Sequence, residues 1–150
     1  MKMTIKKVAD VYKVLSSAKL SKLKDEEKFK IIKQLRKLKP VHDKYNADVE
    51  DARERLKGDE HESVEEDTRL LTSLGEKSGV AIERIAEVNL YWRDYNRRVD
   101  LCVKEEGDRE IDLDIEPMTA EIQGKLLASN DFTIDNILEI DILFVEPENN

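Results

Sequence analysis

Two long apolar stripes at helical spacing constrain this chain more than any other feature of its sequence. The first includes Leu38 to Leu56 and the second runs from Ile82 to Cys102, each with an apolar residue every three or four positions. Side chains at such steps lie on one face of a helix, and two such faces can pack together as in a coiled coil. The chain has only 5 glycines and 3 prolines in 150 residues, too few for the turns of an all-β fold. The sequence therefore predicts a mainly helical protein.

The two stripes predict a long antiparallel helical hairpin. The first helix covers about residues 25–57, with a kink near Pro40, and the second covers about 80–104. Residues 58–79 are predicted to be a mobile tip with a possible short helix around Val64, Leu70, Leu71 and Leu74. A shorter helix from about Thr4 to Leu20 comes first. The predicted buried faces are Phe29, Ile32, Leu35, Leu38, Val41, Tyr45, Val49, Ala52 and Leu56, against Ile82, Ile85, Val88, Trp92, Tyr95, Val99 and Cys102.

After Gly107 the pattern changes to a period of two, which is typical of a strand. Thr119 and Thr133 follow at positions that suit the N-caps of two short helices. The predicted fold class is mainly α with a small α+β tail, in a single domain over 1–150, divided into 1–106 and 107–150. The strand alternates Ile111, Leu113 and Ile115 with Asp112, Asp114 and Glu116, and the last helix is predicted to bury Ile134, Ile137, Leu138 and Phe144.

The predicted strand has no confident partner in the sequence. Residues 139–145 could supply one if they are extended, as could residues 58–70, or another chain could add a strand. An unpaired strand edge invites such pairing. Ile111, Leu113 and Ile115 are therefore candidate interface residues. Tyr91 and Arg93 are further candidates, because they lie off the apolar stripe and aromatic residues and arginine are enriched at binding hot spots.

Charge is divided unevenly between the ends of the chain. Residues 1–40 carry 13 basic and 4 acidic side chains, whereas residues 105–150 carry 2 and 14. Opposite ends of neighbouring copies could attract each other in a head-to-tail or ring-shaped assembly. The basic end could instead contact nucleic acid, although no aromatic residue is interleaved for base stacking. The candidate phosphate contacts are Lys30, Lys33, Arg36 and Lys37, which could equally be solvated or paired with acidic neighbours.

Three features of the sequence are candidates for a metal site or a reactive group. Asp112, Asp114 and Glu116 could hold Mg²⁺ or Ca²⁺, but Pro117 and Gln123 stand where an EF-hand needs glycine and glutamate, so a solubilising strand face is favoured. His61 with Glu65 could form at most a weak metal site, since zinc needs three or four ligands, and solvated charge is favoured. Cys102 lies on the apolar stripe and is interpreted as a small hydrophobic residue. Phosphate-loop, nucleophile-elbow and dinucleotide motifs are absent, so we expect no enzymatic activity and no cofactor.

Two features bear on location. The basic N-terminal segment is interrupted by Asp10 and Lys13, unlike the apolar region of a signal peptide. The longest apolar run, Ile142 to Val145, is far shorter than the roughly 20 residues that span a membrane. We therefore expect a cytoplasmic chain with no membrane partner.

Four stretches of the sequence carry a resemblance. They are VADVYKVLSSAKL, KFKIIKQLRKLKPVHDKY, RDYNRRVDLCVKEEGDREIDLDIEPM and FTIDNILEIDILFVE, about half of the chain. In this order they resemble a group of small helical proteins encoded by tailed double-stranded DNA bacteriophages and prophages. The resemblance implies phage origin and a non-enzymatic structural or assembly role, in the virion or the host cytoplasm, with other phage proteins or further copies as partners. The alternatives are an assembly chaperone or scaffold absent from the mature particle, and a DNA-binding accessory protein.

Overall fold

The structure, a computed structural model, describes residues 1–145. It is mainly helical with a small two-stranded antiparallel sheet, which confirms the predicted fold class. Short 3₁₀ helices cover Gly75–Ser78 and Asp141–Leu143. The other elements are β1 (Lys2–Thr4), α1 (Ile5–Ser16), α2 (Asp25–Arg55), α3 (His61–Leu74), α4 (Ile82–Gly107), β2 (Glu110–Asp112), α5 (Ala120–Ser129) and α6 (Ile134–Ile140).

The chain forms two compact units. Unit 1 consists of Met1–Asn46 and the chain from Glu106 onward, and unit 2 consists of Ala47–Glu105. One boundary falls inside α2, between Asn46 and Ala47, and the other falls near the end of α4, between Glu105 and Glu106.

Unit 1 is built around the apolar face of α1. Thr4 caps this helix by accepting a hydrogen bond from the Lys7 backbone N–H at 3.1 Å, and the helix ends at Ser16, slightly before its predicted end. Its buried side chains form one core with residues of α2, α5 and the C-terminal segment. The fully buried members of this core include Val8, Val11, Leu15, Ile31, Leu38, Ile122, Leu126, Ile140 and Leu143.

The strand predicted from the acidic alternation is real but shorter, and its partner lies within the chain. β2 pairs antiparallel with β1 in the register Lys2↔Asp112, Met3↔Ile111 and Thr4↔Glu110. The expectation that residues 58–70, residues 139–145 or another chain would supply the second strand is therefore wrong. Residues 139–145 instead make a parallel bridge further along, where Phe144 pairs with Met118.

The N-terminal half of α2 is rotated relative to the predicted stripe. Ile31 is fully buried, whereas Ile32 is 38% exposed and Phe29 is more than half exposed. Gln34 is buried on the same side as Ile31: its Nε2 donates a hydrogen bond to the Glu116 backbone oxygen at 2.8 Å, and its Oε1 is buried without a hydrogen-bond partner among the described residues. Ile31, Gln34 and Leu38 share the buried face, and this half of α2 packs into the core of unit 1. The prediction that Phe29 and Ile32 belong to the buried face is thus wrong.

In unit 2 the possible short helix within the predicted tip is present and is longer than its predicted core, as α3. Residues 58–79 contain α3, whose Val64 is buried while most of its acidic residues are exposed. The Trp92 indole Nε1 donates a hydrogen bond to the Thr68 hydroxyl at 2.7 Å, which ties α4 to α3. The Tyr95 hydroxyl donates to the Arg53 backbone oxygen at 2.7 Å, which ties α4 to the last part of α2.

The two predicted C-terminal helices are confirmed, but the predicted buried face of α6 is wrong. Thr119 caps α5, and Thr133 and Asn136 form a reciprocal capping box at the start of α6. In α6, however, Ile134 and Leu138 face water. Phe144 is buried as predicted, and Ile140 and Leu143 are buried as well.

Candidate functional site

One face of α4 exposes large apolar side chains together with arginines. Ile82, Leu90 and Leu101 are 83%, 63% and 59% exposed, and Arg93 and Arg97 lie between Leu90 and Leu101 on the same side of the helix. We call these five residues the α4 outer face. Exposed apolar patches bordered by charge are typical of protein-interaction sites.

The opposite face of α4 carries the packing of unit 2. Val88 and Val99 are buried there, beside the partly buried rings of Trp92 and Tyr95. The helix is therefore apolar on two sides, a pattern expected of a helix with partners on both. The prediction that Ile82 belongs to the buried stripe is wrong, and Leu90 and Leu101 were missed because they lie off that stripe. Their three- and four-residue spacing with Ala86, Arg93 and Arg97 is the signal that could have found them.

Arg93 and Arg97 carry the positive charge of the α4 outer face, and the exposed carboxylates Glu83 and Asp100 lie on the same side of the helix. Arg97 lies 3.6 Å from Asp94, in a side-chain pair three residues apart on the helix surface. Arg93, predicted as an interface residue, is exposed and makes no ion pair with any residue of the range 1–145. The guanidinium of Arg93 is therefore available to a carboxylate from outside the chain.

Tyr91, the other residue predicted for this interface, is instead engaged in the packing of unit 2. Its hydroxyl forms a hydrogen bond with His61 Nδ1 at 2.6 Å and accepts one from the Gly58 backbone N–H at 3.3 Å. Its ring stacks on Tyr95, with centroids 6.0 Å apart. These contacts give Tyr91 a structural role in joining α3 to α4.

A second exposed apolar surface lies on α6. Ile134 is 76% exposed and Leu138 is 63% exposed, and they are one helical turn apart. The exposed Asp135 follows Ile134 in the first turn of α6, and the exposed Asp131 lies in the chain just before the helix. We call these four residues the α6 outer face. It resembles the α4 outer face in its apolar content and differs from it in the sign of its charge.

The strand residues predicted as an interface lie in unit 1. Ile115 is buried, and Ile111 and Leu113 are partly buried against the core. Leu113 also donates its backbone N–H to the Met1 oxygen at 2.9 Å. The unpaired strand that suggested an interface is thus paired within the chain.

The predicted phosphate contacts Lys30, Lys33, Arg36 and Lys37 are all exposed on α2. Lys33 Nζ lies 5.8 Å from the centroid of the Phe29 ring. Phe29 was assigned to the buried stripe, so the structure places an aromatic ring on a basic face that was expected to have none. The charge of Lys37 is partly neutralised, because its Nζ donates a hydrogen bond to the Asp114 backbone oxygen and lies 3.7 Å from the Asp114 side-chain carboxylate.

The three carboxylates considered as metal ligands have different surroundings. Asp112 accepts a hydrogen bond from the Met1 ammonium at 2.9 Å, which lowers the pKa of its carboxyl. Asp114 interacts with Lys37, and Glu116 is exposed. Among residues 1–145, no three His, Cys, Asp or Glu side chains are grouped as metal ligands.

His61 is buried rather than solvated, contrary to the favoured prediction. Its Nε2 lies 3.1 Å from Glu65 Oε1, and its Nδ1 is hydrogen-bonded to the Tyr91 hydroxyl, so both ring nitrogens have hydrogen-bond partners. Cys102 is partly buried, with the Arg55 guanidinium 3.9 Å from its sulfur.

Comparison with known proteins found no match to the chain among family models, curated proteins or solved structures. None of the helices in the described range has the length and apolar character needed to span a membrane.

Proposed function

We propose that the chain is a non-enzymatic structural or assembly protein of a tailed bacteriophage, acting through protein–protein contacts within or around the virion. The observation that carries the proposal is the α4 outer face, where Ile82, Leu90 and Leu101 are exposed around Arg93. A surface of this composition loses unfavourable hydration when a partner covers it, and its arginines supply orientation. The phage setting is supported by the resemblance of about half the sequence to phage and prophage proteins.

The test is quantitative mass spectrometry of particles and assembly intermediates, produced from the genome that encodes the chain. We expect the chain in purified particles at a fixed copy number. Presence in intermediates but not in mature particles would instead support the chaperone or scaffold alternative. Absence from both would contradict the proposal.

A matched pair of variants tests the role of the α4 outer face in particles. Leu90→Glu should reduce incorporation because it places a carboxylate on the proposed contact. Leu74→Glu changes another exposed leucine of unit 2, outside the α4 outer face, and should be incorporated normally. Equal incorporation of the two variants would remove the α4 outer face from the proposal.

A DNA-binding accessory role is the second candidate, and the exposed Phe29 ring beside Lys33 favours it. Lysines bind phosphates and an exposed ring can stack on a base. Fluorescence anisotropy with labelled single- and double-stranded DNA tests this role. Lys33→Glu should then weaken binding and lower the salt slope by about 1, whereas Lys22→Glu, on an exposed lysine outside this face, should not. Binding that is equal in both variants would contradict this role.

A further inference from the structure

We infer that the partner of the α4 outer face is the α6 outer face of a second copy of the same chain. The inference rests on the proposed function and names the partner of that site. Both faces expose large apolar side chains, and both carry charge. Arg93 and Arg97 lie on one, and Asp131 and Asp135 lie on the other.

The two faces match in spacing when the helices are aligned antiparallel. Ile82 and Leu90 are eight residues apart on α4, and Ile134 and Ile142 are eight residues apart across α6 and the 3₁₀ helix that follows it. Eight helical residues span about 12 Å, so the two rows have similar lengths. In this alignment Ile82 lies opposite Ile142 and Leu90 lies opposite Ile134.

The same alignment matches two further pairs, one by size and one by charge. Leu138 lies opposite Ala86, an exposed small residue between Ile82 and Leu90, so that a large side chain meets a small one. Asp131 precedes α6 in the chain, at the end of the helix that faces Arg93 in this alignment, and neither residue forms an ion pair within residues 1–145. A reversed alignment would place the arginines away from Asp131, so charge selects the antiparallel orientation.

The contact joins two different surfaces, so each copy can bind one neighbour through its α4 outer face and another through its α6 outer face. Such a heterologous contact continues from copy to copy, and closes into a ring if the rotation permits. The acidic surface lies in the C-terminal region, as the charge distribution predicted. The basic side of this contact lies on α4, whereas the charge distribution placed it in residues 1–40. Two helical turns of α6 make a small interface, so we expect dissociation constants of roughly 10–100 µM that increase with salt.

Sedimentation velocity with two blocked variants tests the inference. Leu90→Glu blocks the α4 outer face and Leu138→Glu blocks the α6 outer face. Wild-type protein should associate as its concentration rises, and each variant alone should bind at least about 10-fold more weakly. An equimolar mixture of the two variants retains one intact contact and should form 1:1 dimers and nothing larger. The control variant Leu74→Glu should associate like the wild type.

Other outcomes would overturn the inference. They are a monomeric wild type, association of Leu138→Glu alone through α4 pairing with itself, or association of Leu90→Glu alone through α6. Circular dichroism checks that both variants fold. A charge exchange provides an independent test: Arg93→Glu and Asp131→Lys should each weaken association several-fold, and their combination in one chain should restore it. Failure to restore would contradict the alignment.

The failure of this inference can be distinguished from failure of the proposed function. A wild-type monomer that is found in particles at fixed copy number would overturn the self-contact and leave the assembly role intact. A chain that self-associates but is absent from particles and intermediates would support the self-contact and contradict the assembly role.

Discussion

The rotation of α2 in unit 1 leads to a sharp prediction about two neighbouring isoleucines. Ile31 is fully buried and Ile32 is 38% exposed, so the same substitution should have unequal effects. Isoleucine to alanine removes three carbon groups, worth about 2.4 kcal/mol of transfer free energy when fully buried. The cavity left around Ile31 adds to this, for a total loss of about 3–4 kcal/mol in the free energy of unfolding.

At Ile32 the expected cost is smaller. The partial exposure reduces the transfer free energy, and alanine has a better helix propensity than isoleucine, so Ile32→Ala should cost about 1 kcal/mol. Urea denaturation followed by far-ultraviolet circular dichroism should separate the two midpoints by about 1 M. Equal midpoints, or a lower midpoint for Ile32→Ala, would refute the assignment of Ile31 and Gln34 to the buried face.

Three further predictions concern single side chains. Trp92→Ala should lower the free energy of unfolding by about 2–3 kcal/mol in denaturant titrations, and Trp92→Phe by about 1 kcal/mol, because phenylalanine keeps a ring but loses the hydrogen bond to Thr68. The Lys125 ammonium holds the pKa of Glu27 below its usual value, so this carboxylate stabilises the fold above its unfolded-state pKa, and the stabilisation is lost as pH falls through the lowered value. Glu27→Gln should therefore flatten the acid side of a stability–pH profile. Pro40→Ala should increase the free energy of unfolding by about 1–3 kcal/mol, because Pro40 lies inside α2 without an N–H to donate. The thermal midpoint should rise accordingly.

The elements that could be predicted from the sequence are those with local signals. Thr119 and Thr133 each cap a helix where a side-chain cap was expected, since capping depends on residues only three positions away. The first helix begins next to Thr4, where the apolar spacing placed its start. The acidic alternation located β2 because its period of two differs from the helical spacing before it. These signals establish element type without reference to the rest of the chain.

The features that were missed depend on distant contacts. The three residues of β1 are too few to show a period, and their pairing with β2 joins positions more than a hundred residues apart. Gln34 is polar, so the apolar pattern did not assign it to the buried face. The hydrogen bond that its Nε2 donates to the Glu116 backbone oxygen joins distant parts of the chain and could not be seen in that pattern. Periodicity showed that α4 is helical, but not that Leu90 lies opposite the packed face.

Disulfide trapping between two copies tests the central claim, that the chain functions through contacts between its exposed helix faces. Leu90→Cys and Ile134→Cys are prepared in separate chains that both carry Cys102→Ser, and are mixed under mild oxidation. The antiparallel alignment places these positions opposite each other, so mixed dimers should form faster than either homodimer. Leu101→Cys replaces Leu90→Cys as the control, since it lies 11 residues, or about 16 Å, further along α4. Preferential Leu90–Ile134 trapping is the predicted result, and equal trapping from Leu101, or homodimers alone, would contradict the account.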